Sequence, residues 1–235
     1  MSNSFFRFKQ FTIHQERCAM KVGTDGVLLG AWADLRGAAA VLDVGCGSGL
    51  IALMVAQRAP AAIVHAVEID RDAREQASEN VARSPWNDRV SVFQRAIQQF
   101  QPPRPYDVIL CNPPFFSRST PSPVPGKNIA RHCDALAHEE LLDAAGKMIA
   151  PGGTLQVILP VDGAERLGKQ AAGRQWHVNK IARVLPNPGK PPARVLLLLA
   201  REEKPLEQET IIIEIARHHY HESYRALTRD FYLHA

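Results

Sequence analysis

Near the middle of the chain, the tetrapeptide Asn112-Pro113-Pro114-Phe115 closes an apolar run over residues 106–111. An Asn side-chain oxygen and the carbonyl of Pro113 can each accept a hydrogen bond from one NH2 group. The paired prolines fix φ and remove two backbone donors, which keeps the segment extended with its carbonyls presented. Phe115 offers a flat face for stacking a base, an interaction of about 1–3 kcal/mol. Together these groups suit chemistry at a planar nitrogen, such as the exocyclic amine of adenine or an amide. The lone pair of such a nitrogen is delocalised, so it needs orientation and stabilisation of developing positive charge more than it needs a strong base.

A second cluster lies upstream, in Asp43-Val-Gly-Cys-Gly-Ser-Gly49. Gly45, Gly47 and Gly49 form a GxGxG turn between a strand and a helix, where close backbone approach admits a ligand. The pattern differs from the GxGxxG of a dinucleotide fold. S-adenosylmethionine has no pyrophosphate to place, and it carries an α-ammonium that Asp43 can hold. Glu68 follows 19 residues after Gly49 and is placed to accept hydrogen bonds from both ribose hydroxyls. The expected reaction is therefore methyl transfer from S-adenosylmethionine to nitrogen, with Asn112, Pro113 and Phe115 as the catalytic set and Asn112 also bordering the cofactor. Asp70 and Asp72 are read as helix-start residues. Ala96 stands in the region of the third strand where the adenine of the cofactor is expected, so recognition there falls to backbone groups or apolar packing.

The elements that must position these residues alternate along the chain. Strand-like runs at 41–44, 63–67, 90–93 and 106–111 are separated by helical patterns from residue 50 and over 71–83, which implies βαβ units and a parallel sheet. A helix at 139–150 meets Pro151-Gly152-Gly153, read as a stop and turn, before a strand at 154–159. After a helix near 164–174, runs at 178–185 and 194–200 are joined by a Pro-rich link too short for a crossover helix, so they form an antiparallel pair. A strand at 210–216 and a helix at 222–233 finish the chain. The expected fold is α/β and Rossmann-like: a mostly parallel seven-stranded sheet with one reversed strand and helices on both faces. It forms one domain over 1–235, with an N-terminal segment 1–35, a core 36–201 and an extension 202–235. Residues 113–134 carry no periodic pattern and follow the catalytic motif directly, which suggests a substrate-binding lid.

Lys and Arg total 28 and Asp and Glu 24, a net charge of +4 that permits nucleic acid as a partner. Phe116, Arg118, Lys127 and Arg131 beside the motif, and Lys190 and Arg194 near the reversed strand, are the candidate RNA contacts; Lys180, Arg183 and Arg201 lie near the same strand pair. The four cysteines are scattered without a CxxC pair, so no metal site or disulfide framework is expected. His132, His218, His219 and His221 lack a cysteine or carboxylate framework and are read as surface or loop residues. The start has no signal-peptide core, and the longest apolar run, 195–200, is a strand length, so a cytoplasmic location without a membrane span is expected. A non-catalytic RNA-binding protein on this fold is the rival reading, and intact Asp43, Glu68 and Asn112 argue against it.

Phe8-Lys9-Gln10-Phe11, the run Arg17 to Trp32 containing Lys21-Val-Gly-Thr-Asp25, the 43–49 loop, Asn112 to Phe115 and the ending 224–233 together resemble the bacterial tRNA(Val) adenine-N6 methyltransferases. The resemblance spans nearly the whole chain. It implies a class I methyltransferase fold, S-adenosylmethionine as cofactor, and a valine tRNA methylated on the adenine 3′ of the anticodon. It also implies that Lys21, Gly23, Thr24 and Asp25 close over the methionine end of the cofactor. On the residues alone, this segment reads as a turn with Thr24 capping the helix that follows. Enzymes sharing the NPPF motif also methylate a ribosomal guanine amine or a protein glutamine amide, and these acceptors are the alternatives.

Overall fold

The computed structural model describes residues 3–113, 137–216 and 219–233. A short antiparallel hairpin, β1 (Phe5–Arg7) and β2 (Thr12–His14), leads into helix α1 (Thr24–Trp32). Then come β3 (Ala40–Val44), α2 (Leu50–Arg58), β4 (Ile63–Glu68), α3 (Arg71–Ala82), β5 (Val90–Gln94), a 3-10 turn (Ile97–Gln99) and β6 (Tyr106–Cys111). The chain continues through α4 (His138–Met148), β7 (Ile149–Leu159), α5 (Val161–Ala172), β8 (His177–Leu185) and β9 (Arg194–Ala200). It ends in β10 (Glu207–Ile212), the small pair β11 (Glu214–Ala216) and β12 (His219–Tyr220), and α6 (Glu222–Thr228).

The main sheet has the order β10-β8-β9-β7-β6-β3-β4-β5. β9 runs antiparallel to both β7 and β8, and every other neighbouring pair is parallel. The single reversed strand and the α/β class agree with the sequence reading, but the sheet has eight strands instead of seven. The extra strand is β10. The run expected as one strand over 210–216 divides at Ile213, whose N–H donates to the Leu185 carbonyl. The residues before this point add to the sheet edge beside β8, and those after it turn away. The first four residues of β10 are polar and exposed, so no apolar period marks them.

Two other local expectations shift. The helix already ends at Met148, and Pro151-Gly152-Gly153 is not a turn ahead of the strand but a bulge within β7: Tyr106 pairs with Ile149 and Val108 already with Thr154. Gly152 takes φ +77, and a Cβ on Gly153 would stand 2.9 Å from the carbonyls of Tyr106 and Asp107, so both positions need glycine. Thr24 is the first residue of α1 and does not cap it. The cap is Gly23, whose carbonyl accepts from the Val27 N–H at 3.3 Å.

Each sheet face is covered. One side packs Val41, Val64, Val108 and Leu110 against α1, α2 and α3. The other packs Leu42, Ile109, Leu155 and Val157 against α4 and α5, with Tyr106 and Trp176 fully buried. Each such apolar side chain contributes about 1.5–3 kcal/mol, against about 0.2–1 kcal/mol for an exposed ion pair, so apolar burial holds the sheet. Helix α1 is buried from Gly26 to Trp32, and its one-turn-spaced Gly26 and Gly30 lie against Leu50 and Met54 of α2. Among the described residues, no helix is long and apolar enough to cross a membrane.

Candidate active site

The chain builds β3, β4 and β5 outward in one direction, then returns to lay β6 on the other side of β3. The carboxyl ends of β3 and β6 therefore flank a topological switch point, where open α/β sheets bind ligands. Val44 pairs with Val67 of β4 and with Cys111 of β6, so Gly45, Glu68 and Asn112 stand one residue further along three adjacent strands. With strands about 4.8 Å apart, the backbones at Glu68 and Asn112 lie about 10 Å from each other across Gly45.

Gly45, Gly47 and Gly49 all have positive φ, at +68, +54 and +81. A Cβ on Gly45 or Gly47 would meet nothing within 4 Å, so the loop leaves an open cradle on its outer side. The Gly45 and Cys46 N–H groups both donate to the Val67 carbonyl and fix the loop to the end of β4. Glu68 tightens this attachment: Oε2 accepts from the Gly47 N–H at 2.8 Å, and Oε1 accepts from Ile69 and Asp70 at 2.8 and 3.0 Å. The two N–H donors fill Oε1 and one position remains on Oε2, so Glu68 shapes the loop and has capacity for one hydroxyl.

Asp43 is fully buried. Its Oδ2 accepts from the Ala52 N–H at 3.0 Å, while Oδ1 has no hydrogen-bond partner among the described residues. Burial, reinforced by the nearby Glu68 charge and opposed by the Ala52 hydrogen bond, pushes its pKa up to about 7. A cationic ligand at Oδ1 would satisfy the orphaned oxygen and favour the ionised form. The thiols of Cys46 and Cys111 are also pushed up, first by burial and then by Asp43 and Glu68. They stay neutral and pack as small apolar groups.

Asn112 follows β6, and its Oδ1 is likewise buried without a partner among the described residues. Unsatisfied buried oxygens cost about 1–3 kcal/mol each, and two of them near the carboxyl ends of the neighbouring strands β3 and β6 suit a site that receives donors. Pro113 is buried beside Asn112. A Cβ on Gly26 would stand 3.1 Å from Leu50 Cδ2 and 3.9 Å from Asn112 Nδ2, so a bare glycine brings the start of α1 up to the motif. Asp25, in the first turn of α1, pairs with Arg194 at the start of β9 at 2.8 Å. One expected cofactor residue and one expected RNA contact thus hold each other. Lys21, Gly23 and Thr24 are exposed, and Lys21 Nζ donates to the Asn3 carbonyl at 3.3 Å.

Ala96 caps the 3-10 turn beyond β5 and is half-buried. Asp70 caps α3 through a 2.8 Å bond from the Ala73 N–H, as its position in the sequence suggests. Lys190 is exposed in the link between β8 and β9. Phe115, Phe116, Arg118, Lys127 and Arg131, with most of the 113–134 stretch, lie outside the described residues. So do His132 and His218, while His221 caps α6 by accepting from the Ser223 N–H. Among the described residues, no group of three or more His, Cys, Asp or Glu side chains could hold a metal.

Sequence reasoning passed over three residues that shape the site. Gly26 carried a signal, its four-residue spacing from Gly30. Asn80 and Gln15 carried none. Asn80 is buried in α3, donates to the carbonyls of Ser48 and His14 at 2.9 and 2.8 Å, and accepts from the His14 N–H. It ties β2 to the glycine loop.

Comparison with known proteins places this geometry in context. A family model described as methyltransferase small domain matches residues 23–162. A tRNA1(Val) (adenine(37)-N6)-methyltransferase of Bacteroides thetaiotaomicron is 45% identical over 235 residues, covering 100% of this chain and 99% of that protein. Proteins of the same name from Phocaeicola vulgatus and Tolumonas auensis are 47% and 42% identical, each covering 99% of this chain and 99% and 98% of their own. Among solved structures, a predicted O-methyltransferase of Agrobacterium tumefaciens matches with a TM-score of 0.66 at 19% identity, over 88% of this chain and 96% of that one. A glycopeptide N-methyltransferase complexed with S-adenosylmethionine matches at 0.58 and 11% identity, over 77% and 100%. At these identities the structural likeness bears on the fold alone.

Proposed function

Because the chain belongs to the tRNA1(Val) (adenine(37)-N6)-methyltransferase family, we propose that it methylates N6 of adenine 37, 3′ of the anticodon, in a valine tRNA in the cytoplasm, using S-adenosylmethionine. The observation that carries the chemistry is the buried Asn112 Oδ1 after β6, which has no hydrogen-bond partner among the described residues, as is the case for Asp43 Oδ1 at the neighbouring glycine cradle.

S-adenosylmethionine supplies a methyl group made electrophilic by a positively charged sulfur. The residues present fit this cofactor: Asp43 takes the ammonium, the open outer side of Gly45 and Gly47 takes the body, and Glu68 accepts from ribose. The Ala96 turn packs by the adenine. The chain works as one domain, in which segment 1–35 closes on the cofactor through Lys21 to Asp25, 36–201 forms the core and 202–235 extends it.

Asn112 Oδ1 and the Pro113 carbonyl each accept one N–H of the target amine. This holds the nitrogen lone pair in the attack direction and stabilises the positive charge that builds on nitrogen. The product amine sheds its extra proton to water, so no dedicated base is required. Phe115 stacks on the target base. Phe116, Arg118, Lys127 and Arg131 contact RNA next to it, with Lys190 reaching a flanking phosphate, while Arg194 holds Asp25 at the start of α1. An adenine in a loop is already partly unstacked, which lowers the cost of turning it into the site.

Asn112→Ala tests the division of labour. Turnover on valine tRNA should fall by about 100- to 1,000-fold, the effect of removing one preorganised polar group at a developing charge. Calorimetric affinity for S-adenosylhomocysteine should change by less than about twofold. Parallel losses of turnover and affinity would remove Asn112 from the catalytic role.

A further inference from the structure

Gln15 lies just past β2, is 4% exposed, and has both ends of its side chain engaged. Its Oε1 accepts from the Val22 N–H at 2.8 Å, and its Nε2 donates to the Asn3 carbonyl at 3.0 Å. Its neighbour His14 is held through both backbone groups by Asn80, whose second amide hydrogen goes to the Ser48 carbonyl in the glycine loop. A run of hydrogen bonds, buried at Ser48 and partly buried beyond it, therefore leads from the glycine loop, through Asn80 and the end of β2, to Gln15 and the backbone of Val22. The run ends at the segment that enters α1, where Gly26 approaches Asn112.

We propose that Gln15 is a positioning residue that sets the Lys21–Asp25 segment at a fixed height over the cofactor loop, so that its loss weakens S-adenosylmethionine binding without altering the chemical step. The inference rests on the reading of this sheet edge as the S-adenosylmethionine site. The Val22 side chain packs against the core and Asp25 pairs with Arg194, while the backbone between the exposed Lys21 and Gly23 is held by the Val22 N–H bond to Gln15. The Gln15 amide is thus the hydrogen bond that sets the height of the backbone at Val22. A merely structural Gln15 would lower stability and spread its effect over every kinetic constant, whereas a positioning Gln15 acts on one ligand.

The test compares Gln15→Met, which keeps side-chain length and loses both polar ends, with Gln15→Glu, which keeps an acceptor for Val22. In steady-state assays with valine tRNA, Gln15→Met should raise KM for S-adenosylmethionine about tenfold, the loss expected for one buried hydrogen bond. Its kcat and its KM for tRNA should stay within about twofold, and Gln15→Glu should restore a KM near that of the wild type. An unchanged KM for S-adenosylmethionine in Gln15→Met would overturn the proposal, as would kcat and both KM values shifting together, or Gln15→Glu failing to rescue. Calorimetry of the wild type with S-adenosylhomocysteine separates this from the underlying reading. Absence of binding there would sink the cofactor site itself, while wild-type binding matched by Gln15→Met would sink only the role of Gln15.

Discussion

Asp43 concentrates the chemistry of the site into one carboxyl group. Its folded-state pKa, raised by burial to about 7, lies above its ordinary value, so the protonated form is stabilised by folding. The stability tied to this proton is present below the ordinary carboxylate range and is lost as pH rises through about 7. A bound ammonium group has the opposite preference. Binding of S-adenosylmethionine below pH 7 should therefore release a proton, and affinity should rise between pH 5 and pH 7. Calorimetry in two buffers of different ionisation enthalpy reads this directly, and equal heats would remove Asp43 as the ammonium partner. Asp43→Asn should lower affinity about 10- to 100-fold, as expected for a charge-assisted bond of about 1.5–3 kcal/mol, and should flatten the pH dependence. Asp43, the three glycines and Asn112 were legible in the sequence because each group of residues is contiguous and its types follow from the ligand. Gln15 and Asn80 were not, since a lone polar residue at a strand end or in a helix looks solvated until the fold brings its distant partner, such as His14 for Asn80, to it.

Helix α1 shows how an element reaches the site. Its fit on α2 depends on glycine: a Cβ on Gly30 would stand 2.7 Å from Met54 Sδ and 3.0 Å from Met54 Cβ. In an open helix position, replacing Gly by Ala stabilises by up to about 1 kcal/mol. At Gly30 overpacking wins, and Gly30→Ala should destabilise by about 1–3 kcal/mol in chemical denaturation. Gly168→Ala in α5, where the added carbon meets nothing within 4 Å, should stabilise instead. Equal effects at the two positions would mean that α1 does not depend on this contact. The βαβ core was legible because its strands and helices differ in apolar period. β10 was misplaced because four of its six residues are exposed and polar, and β1 and β2, of three residues each, are too short for any period to show.

The whole molecule carries a net charge of +4, yet several of its cations are occupied internally. Arg194 pairs with Asp25, Lys180 with Glu209, and Arg201 lies 4.4 Å over the Trp176 ring. Lys190 is exposed, and Lys190→Ala should reduce the slope of log affinity for tRNA against log salt by about 0.7, one single-strand phosphate contact. An unchanged slope would take the β8–β9 link off the docking face. Overall charge could be read from composition, but which cations remain available depended on the fold. The central claim concerns one atom on one nucleic acid, and it is tested most directly by transfer of labelled methyl from S-adenosylmethionine to total tRNA from cells lacking this protein, with nucleoside analysis and mapping. The expected result is N6-methyladenine at the position 3′ of the anticodon of a valine tRNA. Label absent from tRNA and found instead on ribosomal guanine or on protein glutamine would contradict it.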